Sequence, residues 1–459
     1  MHMFYEAMTP PIPLTEKVIH LTQAQPKQRR SVAAAGIGTV VEYYDLTVYA
    51  YLAVVVSPLF FPSDDPTASL LASLAVFASA YLMRPIGGLF FGRLGDRYGR
   101  KRALLVSVIL MGVATLIMAF LPTYAAVGVL APTLLVIARL AQGFSAGGEL
   151  GGALTYVYEI VGPRRRGLGG SIVALGSNTG FALAAIVVAT TSALTSDVQM
   201  TSWGWRIPFI AGLPLLLLCL WLRSRIEDTP EFEEAAASAD LATSPVRELL
   251  SSQSKQVLQV FGLGIAQNAT GYMVLTYVGI HLVREGGFSQ TAVTWTAAGV
   301  IVFVACLMPI AGLLVDRFGS RTMLTIGLLW AAIFAYPAMS LMTGHGLAVA
   351  GLAFAFFAVC TPLIQVSTAP VFPELFDSRV RLTGVALGFN LATVVAGGTA
   401  AYIATWLIDR TGDPLSPAYF LIGASLIGGL TLLTIRGSLY RGSDLPMADD
   451  DSPELAPVR

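Results

Sequence analysis

Two acidic residues interrupt the first long apolar stretch of the chain, near its middle. Glu42 and Asp45 are three residues apart, so on a helix their side chains lie on one face. A carboxylate at mid-membrane depth is costly unless it is paired or hydrated, and two neighbouring buried acids favour protonation of one of them. Both residues are therefore candidates for loading and releasing a proton. The alternative is that one of them pairs with an arginine or caps a bend.

Basic side chains in two other apolar stretches could pair with these acids. Arg139 lies near the centre of the fourth stretch, and its planar guanidinium offers a carboxylate two parallel donors without losing its proton. It can neutralise Asp45 or Glu42, bind an anionic substrate, or alternate between the two, which would couple substrate binding to protonation. Arg84 fits a structural ion pair better. Glu149 suits a proton relay and a structural pair equally.

The second half of the chain has almost no charge in its apolar stretches, so its part of a cargo site should be polar or aromatic. Asn268, Tyr272 and Thr276 recur every four residues and form one stripe on a helix. The candidate substrate ligands are Arg139, Tyr44, Gln142, Asn268, Tyr272, Gln365 and Asn390. Interhelical hydrogen bonding is the alternative role, and we expect it for about half of the uncharged candidates. An arginine-bearing half facing an uncharged half favours a cargo with a carboxylate at one end.

The elements that carry these residues follow from composition. Of 459 residues 55% are hydrophobic and only 12% are charged, against roughly a quarter in average globular domains, which excludes an ordinary soluble protein. Apolar stretches lie near 31–61, 68–91, 103–121, 125–158, 168–194, 205–222, 257–282, 290–314, 322–343, 348–374, 382–408 and 416–435. Because lipid cannot hydrogen-bond loose backbone, the sequence predicts an all-α membrane protein with twelve transmembrane helices in two pseudo-symmetric six-helix bundles.

The charges outside the stretches predict orientation and domain division. Most of the 28 Lys and Arg residues fall in the tails and in the connections that follow even-numbered stretches, so both termini should be cytoplasmic. The predicted parts are a cytoplasmic tail (1–30), an N-terminal bundle (31–222), a cytoplasmic linker (223–256), a C-terminal bundle (257–435) and a second cytoplasmic tail (436–459). We call the two bundles the N half and the C half.

A repeated motif relates the two halves. Residues 92–101 read GRLGDRYGRK, and a weaker copy at 312–321 reads GLLVDRFGSR. Two six-helix halves related by an axis along the membrane normal are what parallel repeats of this kind imply. The glycines permit a tight turn, Asp96 can sit against a helix N-terminus across the interface between the halves, and Arg100 could meet Glu159.

Several function classes are disfavoured. The net charge is zero, so no global field attracts nucleic acid. Cys219, Cys306 and Cys360 lie within apolar runs without CxxC spacing, so no metal, disulfide or cofactor is expected. The four histidines (His2, His20, His281 and His345) lie in tails or near the ends of stretches, so carboxylates must carry any proton coupling. Without a nucleophile–base set, a membrane enzyme is disfavoured too.

The motif at 92–101 and its copy resemble the signature of the major facilitator superfamily. The surroundings of Glu42 and Asp45, of Arg84, of Arg139 through Glu149, and the runs 203–209 and 227–232 are similar to the metabolite:proton symporter family. That resemblance implies proton-driven uptake of cargoes such as citrate and tricarballylate, 2-oxoglutarate, shikimate, or proline and betaine. It also implies a cytoplasmic latch formed by Asp96, Arg97, Arg100 and Glu159, with Asp316, Arg321 and Glu374 as counterpart.

We therefore expect a multi-pass transporter in a bacterial cytoplasmic membrane that takes up a small organic acid with protons by alternating access. The stretches 139–152 and 411–417 are similar to citrate and tricarballylate carriers. The alternative is a zwitterionic osmolyte such as proline or betaine, because residues 268–273 are similar to osmolyte carriers. A channel without coupled transport is a further alternative. The expected partners are a small-molecule substrate, protons and the bilayer, with no obligate protein partner, and a wet cavity between the halves should reach Asp45 and Arg139.

Overall fold

A computed structural model describes residues 14–237, 244–436 and 439. The first thirteen residues of the predicted N-terminal tail, part of the predicted linker and nearly all of the predicted C-terminal tail lie outside the described residues. Within the described ranges the regular elements are helices, without strands.

Twelve long helices succeed one another in the described ranges, some of them in two parts. They are α1 (Leu14–Phe60), α2 (Pro66–Tyr98), α3 (Arg100–Ala119), α4 (Leu130–Ile160), α5 (Arg166–Leu194), α6 (Leu213–Ser224), α7 (Ser254–Tyr272), α8 (Gln290–Phe318), α9 (Ser320–Met342), α10 (Leu347–Ala358 and Cys360–Glu374), α11 (Arg381–Ala396 and Ala400–Thr411) and α12 (Pro417–Thr434). A π-helical turn, Met273–Tyr277, continues α7 into the short helix Val278–Arg284.

The length and the apolar surface of the helices suit a lipid environment rather than water. Eleven stretches of the described chain are long and apolar enough to cross a membrane, and α7 with its continuation is the twelfth, more polar member. Large apolar side chains such as Val54, Leu194 and Leu352 point outwards, while the interior combines apolar side chains with buried polar and charged ones. Exposed apolar side chains on this scale fit a solvent that is itself apolar.

The two halves meet along a few helix pairs. α2 packs against α11, α8 packs against α5, and α10 contacts α5. The bundle end that carries the start of α3, the described parts of the connection between α6 and α7 (225–237 and 244–253) and the end of α12 is called the terminal face below. The helices α2 and α8 continue beyond their predicted ends into the two motif copies. Each stops at a glycine with positive φ, Gly99 at 108° and Gly319 at 87°, a conformation that only glycine adopts readily.

Close approach of α2 and α4 positions the charged residues of the N half. A Cβ atom at Gly143 would overlap the carbonyl of Ala80, and one at Gly147 would overlap the carbonyl of Arg84. Glycine therefore lets the two backbones touch, as at other membrane helix crossings. The long side chains of Arg84 and Arg139 consequently extend into the interior of the same bundle.

Candidate substrate and coupling site

A chain of four polar side chains runs through the interior of the N half. Arg139 Nη1 donates to Gln142 Oε1 at 2.9 Å, and Gln142 Nε2 donates to Thr115 Oγ1 at 2.9 Å. The Thr115 hydroxyl in turn donates to Asp45 Oδ2 at 2.7 Å. Each group thus donates to the next, from the guanidinium to the carboxylate. The structure joins Arg139 to Asp45 through two neutral side chains rather than in a direct ion pair.

The Thr115 hydroxyl has a second acceptor within reach. Its oxygen lies 3.0 Å from the carbonyl of Met111, one turn earlier on α3. A hydroxyl has one proton to donate, so it can serve either Asp45 or Met111. When Asp45 is ionised it is the stronger acceptor, because a hydrogen bond to a charged group is stronger than one to a neutral group. The hydroxyl can therefore change partner when Asp45 becomes protonated.

Arg139 is buried without an ionic partner. Its side chain is 0% exposed, and Nε and Nη2 have no hydrogen-bond partner in the described part of the chain. These two nitrogens form the edge of the guanidinium that binds a carboxylate in bidentate fashion. The guanidinium lies instead over the rings of Tyr49 and Phe77, with its Cζ 4.6 Å and 5.2 Å from their centroids. Its charge is thus supported by ring faces and one amide oxygen.

Glu42 belongs to a different group from Asp45. Arg84 Nη2 lies 2.6 Å from Glu42 Oε1, and Arg84 Nε donates to Asn390 Oδ1 of α11 at 3.2 Å. Asn390 Nδ2 donates to the carbonyl of Gly147 on α4 at 2.6 Å. The expected structural pairing of Arg84 is present, and it explains why Glu42 does not meet Arg139. Asn390 connects the pair to the C half.

The second buried ion pair of the N half contains a residue that sequence analysis missed. Arg223 Nη1 lies 2.8 Å from Glu149 Oε2, and the Ser107 hydroxyl donates to the same oxygen at 3.1 Å. Arg223 follows the sixth apolar stretch directly and was grouped with the cytoplasmic linker, yet it is 0% exposed. Its position gave no signal of burial, because basic residues commonly end such stretches. Glu149 thus has the ion-pair partner that one of its two predicted alternatives requires, and its role in proton coupling stays a prediction.

The uncharged candidates divide into two sets. Gln365 donates to Ser177 of α5 at 3.2 Å, and the Tyr272 hydroxyl lies 3.3 Å from that of Tyr81 on α2, so both side chains bridge the halves. Asn268 donates to the carbonyl of Gly264 within α7, and Tyr44 donates to the carbonyl of Pro208 within the N half. The second set makes local contacts.

Two expectations about water and histidine differ from the structure. Asp45 is 3% exposed and Arg139 is 0% exposed, so within the described part of the chain the expected wet cavity does not reach them. The polar chain and the aromatic rings supply what water was expected to supply. His281 lies near the end of its stretch, as predicted, but it is 1% exposed, because α7 continues through the π-helical turn and keeps this end inside the C half.

The terminal face carries a charge network between the halves. Asp96 accepts hydrogen bonds from the backbone N–H groups of Leu382 and Thr383 at 3.2 Å and 2.9 Å, so its carboxylate caps the N-terminus of α11. Arg100 lies 3.1 Å from Glu159 and donates to the carbonyl of Ser378 at 2.8 Å. Glu159 also binds Arg381 at 2.9 Å, a partner that was not predicted.

The second motif copy repeats part of this arrangement. Asp316 accepts from the backbone N–H groups of Gly167 and Leu168 at 2.7 Å and 3.1 Å, at the N-terminus of α5. Arg321 donates to the carbonyls of Leu432 and Ile435 at the end of α12. Glu374 ends α10, and Arg97 lies over the ring of Tyr98 at 5.3 Å. The backbone contacts of the two aspartates are therefore symmetric.

Fold and sequence together define the class of protein. A profile of the Sugar (and other) transporter family matches residues 31–243 and 221–436, so the chain belongs to this family of the major facilitator superfamily. The proline/betaine transporters of Salmonella typhimurium and Escherichia coli K12 are each 34% identical to it over 427 residues, which covers 90% of this chain and 85% of theirs. The glycine betaine/proline/ectoine/pipecolic acid transporter OusA of Dickeya dadantii is 34% identical, covering 92% of this chain and 87% of its own.

Solved structures agree on the fold. The proton:xylose symporter XylE matches with a TM-score of 0.76 at 17% identity, covering 92% of this chain and 99% of its own. The human organic anion transporter MFSD10 matches with a TM-score of 0.63 at 16% identity, covering 88% and 99%. The predicted all-α fold with two six-helix halves is thereby confirmed, and the chain is a multi-pass membrane transporter rather than an enzyme.

Proposed function

We propose that this protein is a proton-coupled carrier that takes up a small zwitterion of the proline and betaine class. The relatives that match nine-tenths of the chain carry these names, and they favour this alternative over the organic acid that the stretches 139–152 and 411–417 suggested. Both cargo classes present a carboxylate, so the features of those stretches are compatible with either class. A site for that group leaves the rest of the cargo unspecified.

The observation that carries the proposal is the guanidinium of Arg139. It is fully buried, keeps its charge, and has two parallel donors without a partner among the described residues. Leaving a buried charge without an ionic partner is unfavourable by several kcal/mol, so a site of this kind is suited to a ligand that brings a carboxylate. A zwitterion brings that carboxylate and no net charge. Its transfer into the interior therefore costs less than transfer of an anion.

The polar chain supplies a route for coupling. Protonation of Asp45 makes its carboxyl group a weaker acceptor, so the Thr115 hydroxyl can then donate to the Met111 carbonyl instead. Gln142 still donates to the Thr115 oxygen, but turning the hydroxyl redirects the lone pairs of that oxygen, which weakens this hydrogen bond and with it the position of Gln142 against Arg139 Nη1. In this mechanism the proton enters on the carboxylate of Asp45, and the cargo carboxylate engages Arg139 more readily while Asp45 is protonated.

Membrane placement and gating complete the proposal. The terminal face carries most of the basic residues, so we assign it to the cytoplasm of a bacterium and assign the membrane to the inner membrane. The network of Asp96, Arg100, Glu159 and Asp316 joins the halves at that face. It would open when the carrier turns inwards, and each half would move as a near-rigid bundle.

Transport by purified protein in proteoliposomes tests the proposal. We expect an inward proton gradient to drive accumulation of radiolabelled glycine betaine or proline, with loss of accumulation on addition of a protonophore. Asp45→Asn should abolish gradient-driven accumulation and retain exchange of cargo for cargo, while the exposed loop variant Asp64→Asn should behave as wild type. Accumulation of citrate but not of glycine betaine, or accumulation that follows sodium and ignores the protonophore, would contradict the proposal.

A further inference from the structure

Four aromatic side chains form a continuous row from Arg139 to the C half. Tyr49 and Phe77 lie with their planes parallel within 2° and their centroids 6.4 Å apart. Phe77 meets Tyr81 edge-on at 5.4 Å, and Tyr81 meets Tyr272 edge-on at 6.1 Å. We call these four residues the aromatic row. It begins on α1, passes along α2 and ends on α7, so it crosses from one half to the other.

The aromatic row already holds two cations of the protein. Arg139 lies over Tyr49 and Phe77, and Arg84 lies over Tyr81 with its Cζ 5.9 Å from the ring centroid. The negative face of an aromatic ring attracts a cation, most strongly where both are removed from water. The ring faces of this row are therefore electrostatically negative surfaces within the buried interior. A cluster of rings that served packing alone would not need two cations placed over its ring faces.

The carboxylates near the aromatic row already have hydrogen-bond or ion-pair partners. Asp45 accepts from Thr115, and Glu42 lies against Arg84. A zwitterion whose carboxylate binds Arg139 must place its positive group away from the guanidinium, yet in glycine betaine one carbon separates the ammonium from the carboxylate. The ring faces next to Arg139 are the negative surfaces within that reach, and Phe77 and Tyr81 follow one another in that direction.

We propose that Phe77 and Tyr81, completed by Tyr272 from the C half, bind the ammonium group of the cargo through their ring faces. This inference rests on the proposed function and deepens it, because it assigns the positive end of the zwitterion to particular residues of this chain. The Tyr81 ring lies against Gly398 of the C half, and its hydroxyl meets that of Tyr272. A cation held there contacts both halves and would draw them together.

A pair of ligands of equal shape separates charge recognition from fit. Glycine betaine and tert-butylacetate have the same carboxylate and the same three methyl groups, but only the first carries a positive charge. We expect purified wild-type protein to bind glycine betaine at least about tenfold more tightly, measured by titration calorimetry, because a cation–π contact is strongest where the cation and the ring are removed from water. Phe77→Leu should reduce this ratio about fivefold, and Phe77→Tyr, which keeps a ring face, should preserve it.

Phe334→Leu provides the matched control. Phe334 is also half-buried and lies in a three-ring cluster with Trp330 and Phe356 in the C half, remote from Arg139. A packing defect there should alter the binding of both ligands equally. Equal wild-type affinity for the two ligands would overturn the inference and leave the proposed function intact, and this measurement needs no variant to fold. If neither glycine betaine nor proline binds, the proposed function itself fails.

Discussion

The two halves share a fold but differ in their interiors. The interior of the N half holds Glu42 with Arg84, Glu149 with Arg223, and the chain from Arg139 to Asp45. In the described residues the interior of the C half offers amides, hydroxyls and aromatic rings at comparable depth. At the terminal face, by contrast, Asp96 and Asp316 make matching contacts with helix N-termini of the opposite half.

This difference separates the residues proposed to bind the proton and the cargo from the residues that hold the two halves together. Closing the two halves together requires contacts on both sides of the pseudo-symmetry axis, and the duplicated motif supplies them. In the proposed mechanism a proton and a cargo need one site, and a buried charge is costly wherever it is placed, which is consistent with the concentration of buried charge in the N half. The C half can remain a rigid partner that contributes aromatic and polar surface.

The largest expected effect comes from breaking an ion pair of the N half. Glu149→Gln leaves the charge of Arg223 in the apolar interior, and we expect a loss of about 3–5 kcal/mol in the free energy of unfolding, measured by denaturation in mixed detergent. Replacing both residues with methionine should restore most of that loss. Gln365→Leu is the C-half counterpart and should cost only about 1 kcal/mol. Similar losses for Glu149→Gln and Gln365→Leu would contradict the difference between the interiors of the two halves.

A charge-preserving change at Arg139 tests the carboxylate site. Arg139→Lys keeps a positive charge but replaces the planar fork with a single ammonium, so one charge-assisted hydrogen bond to the cargo is lost. We expect kcat/KM for uptake to fall about 10- to 100-fold, the equivalent of about 1.5–3 kcal/mol. Arg206→Lys, at a side chain that donates to the carbonyls of Ser202 and Leu121, serves as control. Unchanged affinity for every cargo would exclude Arg139 from the site.

Symmetric variants at the terminal face should give equal effects. Asp96→Asn and Asp316→Asn each weaken a carboxylate cap on a helix N-terminus, and each should shift the closed-to-open equilibrium about tenfold towards opening. The rate at which an impermeant maleimide labels a cysteine introduced at Ser378 reports that shift. The double variant should exceed either single one. A large effect from only one aspartate would show that the two contacts are not equivalent.

The smallest expected effect concerns the polar chain. Thr115→Val keeps the shape of the side chain and removes the hydroxyl that joins Asp45 to Gln142, so gradient-driven uptake should fall about fivefold while cargo exchange stays constant. Thr191→Val is the control, because the Thr191 hydroxyl donates only to the carbonyl of Val187 one turn earlier. A parallel fall in exchange and in driven uptake would indicate that the chain supports binding rather than coupling.

The sequence predicted the architecture because lipid imposes simple rules. Apolar length, the distribution of Lys and Arg, and the duplicated motif are all local in the chain, and they sufficed for twelve helices in two halves. The contact of Arg100 with Glu159 and the position of Asp96 at a helix N-terminus also followed from the motif. Arg223, Arg381 and the Thr115 hydroxyl were missed, since each gains its role from residues far away in the chain.

By itself, then, the sequence determined that the charges inside the apolar stretches must be hidden from lipid and that they lie in the N half. Only the tertiary structure decided their partners: Glu42 and Asp45 share a helix face but point to different neighbours, one to Arg84 and one to Thr115. The physical reason is that helix periodicity fixes the direction of a side chain, whereas the crossing of α2, α3 and α4 fixes what it meets. The energy of an ion pair or a hydrogen bond depends on the distance between its two groups, and no local sequence pattern encodes that distance.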